Sequence, residues 1–285
     1  MLKFLPKNVQ DEIISLCGDN LCEVRIRAGE KIQVYSSENG IESVKKLPIE
    51  MSVEEIEKCF MRLCNFAYFT VEDQIKSGFI TSSEGERVGI CGECVLNGGE
   101  VTAIKNITSL CVRFPKNIIG CAEKFFDKYV KTSPKSCLVI SPPSQGKTTF
   151  IRDLGRLYSD KLGLGVLYID ERDELSGGGK FYLGENADVL RFANKDYGFK
   201  VGVRTLNPKV IVCDELMSGD DANSVLFASA SGVKVISSVH SDNLKNVLKK
   251  QEISAILKCF IFDYVIEIDR FNIRKVYNEK LEPIC

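Results

Sequence analysis

The sequence predicts an α/β chain in which a parallel-rich sheet domain follows a smaller α+β domain. Three observations carry this. From residue 136 onward, continuous apolar runs (Ser136 to Ile140, Val166 to Asp170, Val210 to Cys213, Val233 to Val239) alternate with helical stretches, as strands buried on both faces of a parallel sheet do. Before residue 115 the pattern is mixed, with short alternating strands around one amphipathic helix. Between the two, Thr132-Ser133-Pro134 marks a break. The boundaries are 1–115 for the first domain, 116–135 for a helical linker and 136–285 for the second domain.

In the first domain, Leu5 to Cys17 can form a short helix. Glu23 to Arg27 alternates, with Val24 and Ile26 on one face and Arg25 and Arg27 on the other, and reads as a strand. Ile32 to Tyr35 is a second strand, closed by the turn-like Ser36-Ser37-Glu38-Asn39-Gly40. Ser52-Val53-Glu54-Glu55 is a capping box. Behind it Val53, Ile56, Phe60, Leu63 and Ala67 recur at helical spacing, so 53–66 is an amphipathic helix. Strands follow at Gly78 to Thr81, Arg87 to Val95 and Val101 to Ile104, with hairpin-turn chemistry at Asn97-Gly98-Gly99. A helix over 118–131 leads to the break. In the second domain helices fall near 147, over 220–230 and over 242–257, and Gly177-Gly178-Gly179-Lys180 reads as a flexible loop.

Composition narrows the function. The 285 residues carry 38 Lys plus Arg against 39 Asp plus Glu, a net charge of −1, which lacks the basic footprint of a nucleic-acid binder. Apolar residues at 44% make an ordinary globular chain. No run of 18 apolar residues exists, so no transmembrane helix is expected, and Met1 to Pro6 lacks the features of a signal peptide. The twelve cysteines read as reduced, mostly buried thiols of a reducing cytoplasm. Cys91 and Cys94 have CxxC spacing, but no second pair or His cluster completes a metal site, so packing is the expected role.

In parallel sheets the chemistry sits at the carboxyl ends of the strands. After Ile140 comes Ser141-Pro142-Pro143-Ser144-Gln145-Gly146-Lys147-Thr148-Thr149. Gly146, Lys147 and Thr148 match the end of the phosphate-binding pattern G-x-x-x-x-G-K-[ST], while Ser141 replaces its first glycine. A loop that leaves a buried strand and opens a helix aims backbone N–H groups and the positive helix end at phosphate. Lys147 can reach the β- and γ-phosphates, and the Thr148 hydroxyl can ligate Mg²⁺. Val210 to Cys213 ends in Asp214-Glu215, where Asp214 would hold Mg²⁺ and Glu215 would orient or deprotonate a water. Leu167 to Ile169 ends in Asp170-Glu171-Arg172, and Glu171 is a second candidate for the water-orienting role. Val235 to Val239 ends at His240, the sole histidine. A solvated lysine or a solvated acid at one strand end is unremarkable, but polar groups at four strand ends together are not. For the arginine that stabilises a phosphoryl transition state, the candidates are Arg172, Arg204, Arg113 and Arg87, with Arg204 first because it shortly precedes the acidic strand.

With these residues in order, the chain resembles the RecA-like ATPases of type II and type IV secretion. Along nearly its whole length it is similar to the stage III sporulation AA family. The specific strings are Glu23-Val24-Arg25-Ile26-Arg27, Gln74 to Thr81, Arg87 to Gly92 and Ile107 to Arg113. Lys147-Thr148-Thr149 with Arg152-Asp153, Tyr168 to Arg172, Asp188-Val189-Leu190, Arg204 to Lys209, Asp214-Glu215 and Ser238-Val239-His240 are shared more widely.

The resemblance implies a RecA-like P-loop fold, ATP and Mg²⁺ as ligands, and hydrolysis that drives a membrane complex. It also implies a hexameric ring on the mother-cell side of the channel to the forespore. Integral membrane proteins of that complex would be its partners, with no nucleic acid, and His240 would sense the γ-phosphate. The family's usual glycines are replaced by Ser141, Ser144, Met217 and Ser241, which puts turnover in question more than fold. Two other readings stay open: a nucleic-acid translocase, and a nucleotide-binding scaffold with little turnover.

Overall fold

Two sheets carry the fold. The structure is a computed structural model that describes all residues except 1, 39–40, 66–70, 77, 83–84, 115–116 and 285. It divides into two units: Met1–Lys116 with Gly177–Lys180, and Asn117–Ser176 with Phe181–Cys285.

The first unit contains α1 (Lys7–Cys17), β1 (Leu21–Arg27), β2 (Lys31–Glu38), β3 (Ile41–Glu50), α2 (Val53–Leu63), α3 (Glu72–Lys76), β4 (Phe79–Thr81), β5 (Arg87–Asn97) and β6 (Glu100–Arg113). The strands pair antiparallel in the order β3-β2-β1-β6-β5-β4. Val9 and Ile13 of α1, Ile56, Phe60 and Leu63 of α2, and Val24 and Ile26 of β1 share one core. The capping box forms: Glu55 N–H donates to Ser52 Oγ at 3.2 Å and Ser52 N–H donates to Glu55 Oε2 at 2.8 Å. Val53, placed on the buried stripe by spacing, is exposed at the helix start, and Ala67 lies outside the described residues.

Three expectations change here. Ser36 and Ser37 belong to β2 instead of a turn, because they pair with Ser43 and Glu42 of β3. The rest of that expected turn, Asn39-Gly40, lies outside the described residues. The polar β3 carried no apolar alternation to announce it. It is an edge strand, and a register slip opposite Lys31 and Gln33 accommodates Pro48, which cannot donate to a ladder. β6 runs on to Arg113 past an irregularity opposite Cys91 and Glu93, so the expected 101–104 is only its beginning. The β5–β6 link does turn at Gly98-Gly99, both at positive φ (+59° and +89°).

The cysteines also depart from expectation. Of those described, all are free thiols; Cys59, Cys64, Cys137 and Cys213 are buried, while Cys91, Cys94 and Cys259 are exposed. Cys91 and Cys94 therefore do not pack in a core. Three steps along extended β5 separate their Cα atoms by about 10 Å, past the roughly 7 Å limit for a disulfide.

The second unit opens with α4 (Glu123–Phe125) and a π-helical turn (Phe126–Val130) in place of one long helix. Then come β7 (Cys137–Ser141), α5 (Lys147–Leu162), β8 (Val166–Asp170), β9 (Ala187–Arg191), α6 (Lys195–Val201), a π-helical turn (Gly202–Leu206), β10 (Val210–Cys213), α7 (Gly219–Ala230) and β11 (Lys234–His240). The unit ends with α8 (Leu244–Val247), α9 (Gln251–Lys258), β12 (Tyr264–Asp269) and β13 (Asn272–Tyr277). The sheet order is β13-β12-β7-β11-β10-β8-β9, parallel throughout except for the edge strand β13.

Alternate side chains of the central strands feed two cores. Leu138, Ile140, Ile211 and Val235 meet Phe199, Val225 and Ile256 from α6, α7 and α9 on one side. Val139, Tyr168, Val212 and Ile236 meet Phe150, Leu154 and Leu157 of α5 on the other. Gly155 lets α5 come close: a β-carbon there would lie 2.5 Å from the Tyr168 hydroxyl oxygen. That hydroxyl donates to the carbonyls of Arg152 (3.0 Å) and Leu183 (3.2 Å). No helix among the described residues is long and apolar enough to cross a membrane.

Candidate nucleotide-binding site

The four predicted strand ends are neighbours. β7, β11, β10 and β8 lie side by side and parallel, so Ser141, His240, Cys213 and Asp170 finish at one edge of the sheet. The loop 142–146 joins β7 to α5, and Gly146 caps the helix with φ +91°. Ser141 is the last residue of β7, 1% exposed and paired with His240 across the sheet. A serine there occupies an ordinary strand position. Ser144 differs: its φ is +60°, which a side chain makes about 1–2 kcal/mol unfavourable.

Lys147 is 5% exposed. Its Nζ donates to the carbonyls of Ser141 (2.9 Å) and Pro142 (2.8 Å) and to His240 Nδ1 (2.6 Å). Burial pulls its pKa down to about 8, against the pull of the Glu215 and Asp214 carboxylates. An ammonium has no acceptor lone pair, so Nδ1 accepts and the imidazole proton sits on Nε2. Nε2 faces Glu215 Oε2 at 3.0 Å. Lys147, His240 and Glu215 thus form one chain of contacts across three elements.

Beside it, Thr148 Oγ1 donates to Asp214 Oδ1 at 3.4 Å, as does Ser238 Oγ. Ser237 Oγ holds the Asp214 carbonyl at 3.0 Å. Ser237 was not singled out from sequence, and Ser238 entered only as part of the Ser238-Val239-His240 string. Their signal is the alternation of β11, which puts Ser238 next to the chemistry and Ser237 beneath it.

Other predicted residues stand apart. Pro143 and Ser144 are exposed, and Gln145 and Thr149 are half-buried on the loop and the first helical turn. Glu171 is paired with Lys195, Nζ to Oε2 at 2.9 Å. Burial depresses the Lys195 pKa, but the bond to Glu171 and nearby acids raise it overall. Asp170 is buried and accepts from the N–H groups of Glu174, Leu175 and Ser176 at 2.8, 3.1 and 2.7 Å; burial raises its pKa despite these bonds. It shapes the loop after β8.

Arg204 is exposed on the segment that leads into the amino end of β10, the opposite edge of the sheet from Lys147. Arg172 is exposed at the carboxyl edge. Arg113 and Arg87 belong to the first unit, where Arg113 Nε donates to Glu23 at 3.2 Å and Arg87 stacks on Phe79.

These residues fit a nucleotide triphosphate and its metal. Lys147 is a buried cation whose hydrogen bonds all go to neutral acceptors, with the Glu215 and Asp214 carboxylates acting on it only through space, and a phosphate oxygen would supply a directly bonded anionic acceptor. A hydroxyl and a single carboxylate, Thr148 and Asp214, are hard oxygen donors of the kind Mg²⁺ combines with phosphate oxygens and water. No group of three or more His, Cys, Asp or Glu that could hold a metal by themselves occurs among the described residues.

The family described as sporulation stage III, protein AA, matches residues 6–283. Stage III sporulation protein AA of Bacillus subtilis is 29% identical over 272 residues, spanning 93% of this chain and 87% of that protein. Among solved structures, the ATPase DotB of Legionella pneumophila superposes with TM-score 0.58 at 15% identity, covering 92% of this chain and 77% of that one. The pilus retraction motor PilT with bound ADP superposes with TM-score 0.62 at 14% identity, covering 91% and 76%. The fold is that of the RecA-like secretion ATPases, with a smaller domain first in the chain.

Proposed function

The chain belongs to the sporulation stage III protein AA family, and from that premise we propose that it is a Mg²⁺-dependent ATPase. The observation that carries this is the convergence of Lys147, His240, Glu215, Thr148 and Asp214 on one sheet edge, at the mouth of a loop that opens a helix. The backbone N–H groups of Ser144–Thr149 and the Lys147 ammonium hold the phosphates. Thr148 and Asp214 hold the metal, which when bound neutralises charge on the β- and γ-phosphate oxygens. Glu215 accepts a proton from the water that attacks the γ-phosphorus as the bond to ADP breaks. His240 keeps Glu215 placed before the nucleotide arrives, and it gives up Lys147 when the γ-phosphate takes that lysine over.

Arg204, at the far edge of its own sheet, serves a neighbouring copy in a ring, which the family resemblance makes hexameric and AAA+-like. Arg172 is the alternative within the same chain. The work of hydrolysis goes to integral membrane proteins of the channel between mother cell and forespore, with this chain on the cytoplasmic, mother-cell side. Steady-state phosphate release tests the proposal: the wild-type chain with ATP and Mg²⁺, on membranes carrying its partners, turns over while Glu215→Gln does not.

A second reading, a nucleotide-binding scaffold, is favoured by the strained Ser144. Equal background rates in both proteins despite ATP binding would establish it. Tight, salt-sensitive binding of single-stranded DNA on a filter would favour a nucleic-acid translocase instead; the near-zero net charge supports its absence.

A further inference from the structure

The triphosphate accounts for the β10–β11 side of the site and leaves the nucleoside without a seat. β7 has two neighbours in the sheet, β11 and β12. His240 ends β11, and Asp214 and Glu215 follow β10 beyond it, so the γ-phosphate end points that way. The nucleoside must leave the loop on the other side, toward β12. Since β12 runs parallel to β7, its carboxyl end at Asp269 reaches the same edge. The next two residues, Arg270 and Phe271, form the turn into β13, where Asp269 pairs with Asn272.

That turn sits on the phosphate loop. The Phe271 N–H donates to the Gln145 carbonyl at 3.4 Å. Its ring lies so close to Gly146 that any β-carbon added there would collide with it. Gly146 is thus glycine for two reasons, its φ of +91° and the ring against it. The turn itself is poorly suited to its residues. Two-residue hairpin turns of this kind favour Asn-Gly or Gly-Gly, yet Arg270 and Phe271 stand at φ +46° and +69°. A bulky aromatic kept at a strained position, half-exposed, and touching the loop is doing something that the hairpin alone does not require.

We propose that Phe271 is the base platform of the site, its ring stacking against the purine of the bound nucleotide. This rests on the reading of the loop as a phosphate site. Aromatic stacking accepts any purine face, so the platform adds affinity without choosing between adenine and guanine.

The experiment compares ATP with inorganic tripolyphosphate, which has the phosphates and no base. The wild-type chain binds both. Phe271→Leu, which keeps an apolar side chain over Gly146, loses about tenfold or more in ATP affinity, the range expected for one base on one ring, and keeps its tripolyphosphate affinity. Phe271→Tyr keeps both.

The chain contains no tryptophan, so Phe271→Trp supplies a single reporter whose fluorescence ATP quenches and tripolyphosphate does not. Equal losses for both ligands in Phe271→Leu, with an unchanged melting temperature, would mean the ring only braces the loop and would overturn the proposal. So would no loss for either ligand, or a Phe271→Trp signal blind to ATP. A wild-type chain that binds neither ligand would overturn the phosphate-site reading itself, a result separable from the failure of Phe271 alone.

Discussion

Nζ of Lys147 lies 2.6 Å from Nδ1 of His240, whose other ring nitrogen lies 3.0 Å from Glu215. The lysine proposed to hold phosphate and the glutamate proposed to orient water are thereby tied through one imidazole. On the proposed reading, phosphate replaces the lysine–histidine contact, and His240 then reports site occupancy.

Replacing His240 with Ala should separate binding from turnover. Lys147 keeps its bonds to the carbonyls of Ser141 and Pro142, so ATP affinity stays within about threefold of wild type. Glu215 loses the partner that orients it, and kcat falls by about 100-fold. Equilibrium binding and single-turnover hydrolysis measured on the same protein check this. A large loss of affinity with kcat unchanged would contradict it.

Ser144 holds φ at +60°, a conformation that glycine adopts without cost. Ser144→Gly removes that strain, partly offset by the greater freedom of glycine in the unfolded chain. The net expectation is a gain of about 0.5–1 kcal/mol in urea unfolding. Gly146→Ala does the opposite, because the new methyl meets both a left-handed φ and the Phe271 ring. It should lose nucleotide binding and stability together.

The four strand ends were legible because buried parallel strands are continuous apolar runs, and each of these ran directly into a polar residue. The loop after Ile140 and the acidic pair after Cys213 could therefore be placed at one sheet edge before any contact was known. What could not be read was pairing. Nothing in the sequence near Glu171 announces that Lys195, 24 positions later, occupies it. Phe271 lay hidden because β12 and β13 were not recognised, and the parallel neighbour β12 is what brings its turn to Gly146. In the first unit β3 escaped notice because this edge strand is solvated over Ser43 to Lys46 and meets the core only near its end, through Leu47 and Ile49.

The thiols should respond to pH according to burial. Burial pushes Cys59 and Cys64 up to about 11 and Cys213 up to about 12. The thiolate is the reactive form, so at pH 8 these groups carry almost none of it and are also covered. Among the described thiols, iodoacetamide at pH 8 should label Cys91, Cys94 and Cys259 first, with the buried thiols reacting only after unfolding. Mass spectrometry of the labelled chain reads the order. Cys91 and Cys94 should take up two separate alkyl groups and form no intramolecular disulfide under mild oxidant.

Two glutamates compete for the catalytic role, and their partners distinguish them. Glu215 contacts His240 and, through it, Lys147. Glu171 contacts Lys195, which is 7% exposed and takes its ion pair from that carboxylate, with Asp221 acting from farther off. Glu215→Gln keeps the size and the hydrogen-bonding atoms but cannot take a proton, so kcat should fall by about 10²–10⁴ while ATP still binds. Glu171→Gln should leave kcat within about threefold and instead lower stability by about 1 kcal/mol, the pair being partly open to solvent screening. Lys195→Met should offset much of that loss when combined with Glu171→Gln, because it removes a buried charge that has lost its directly bonded carboxylate. Phosphate release and urea unfolding on the three variants decide between the two carboxylates, and a kcat collapse in Glu171→Gln with Glu215→Gln unaffected would exchange their roles.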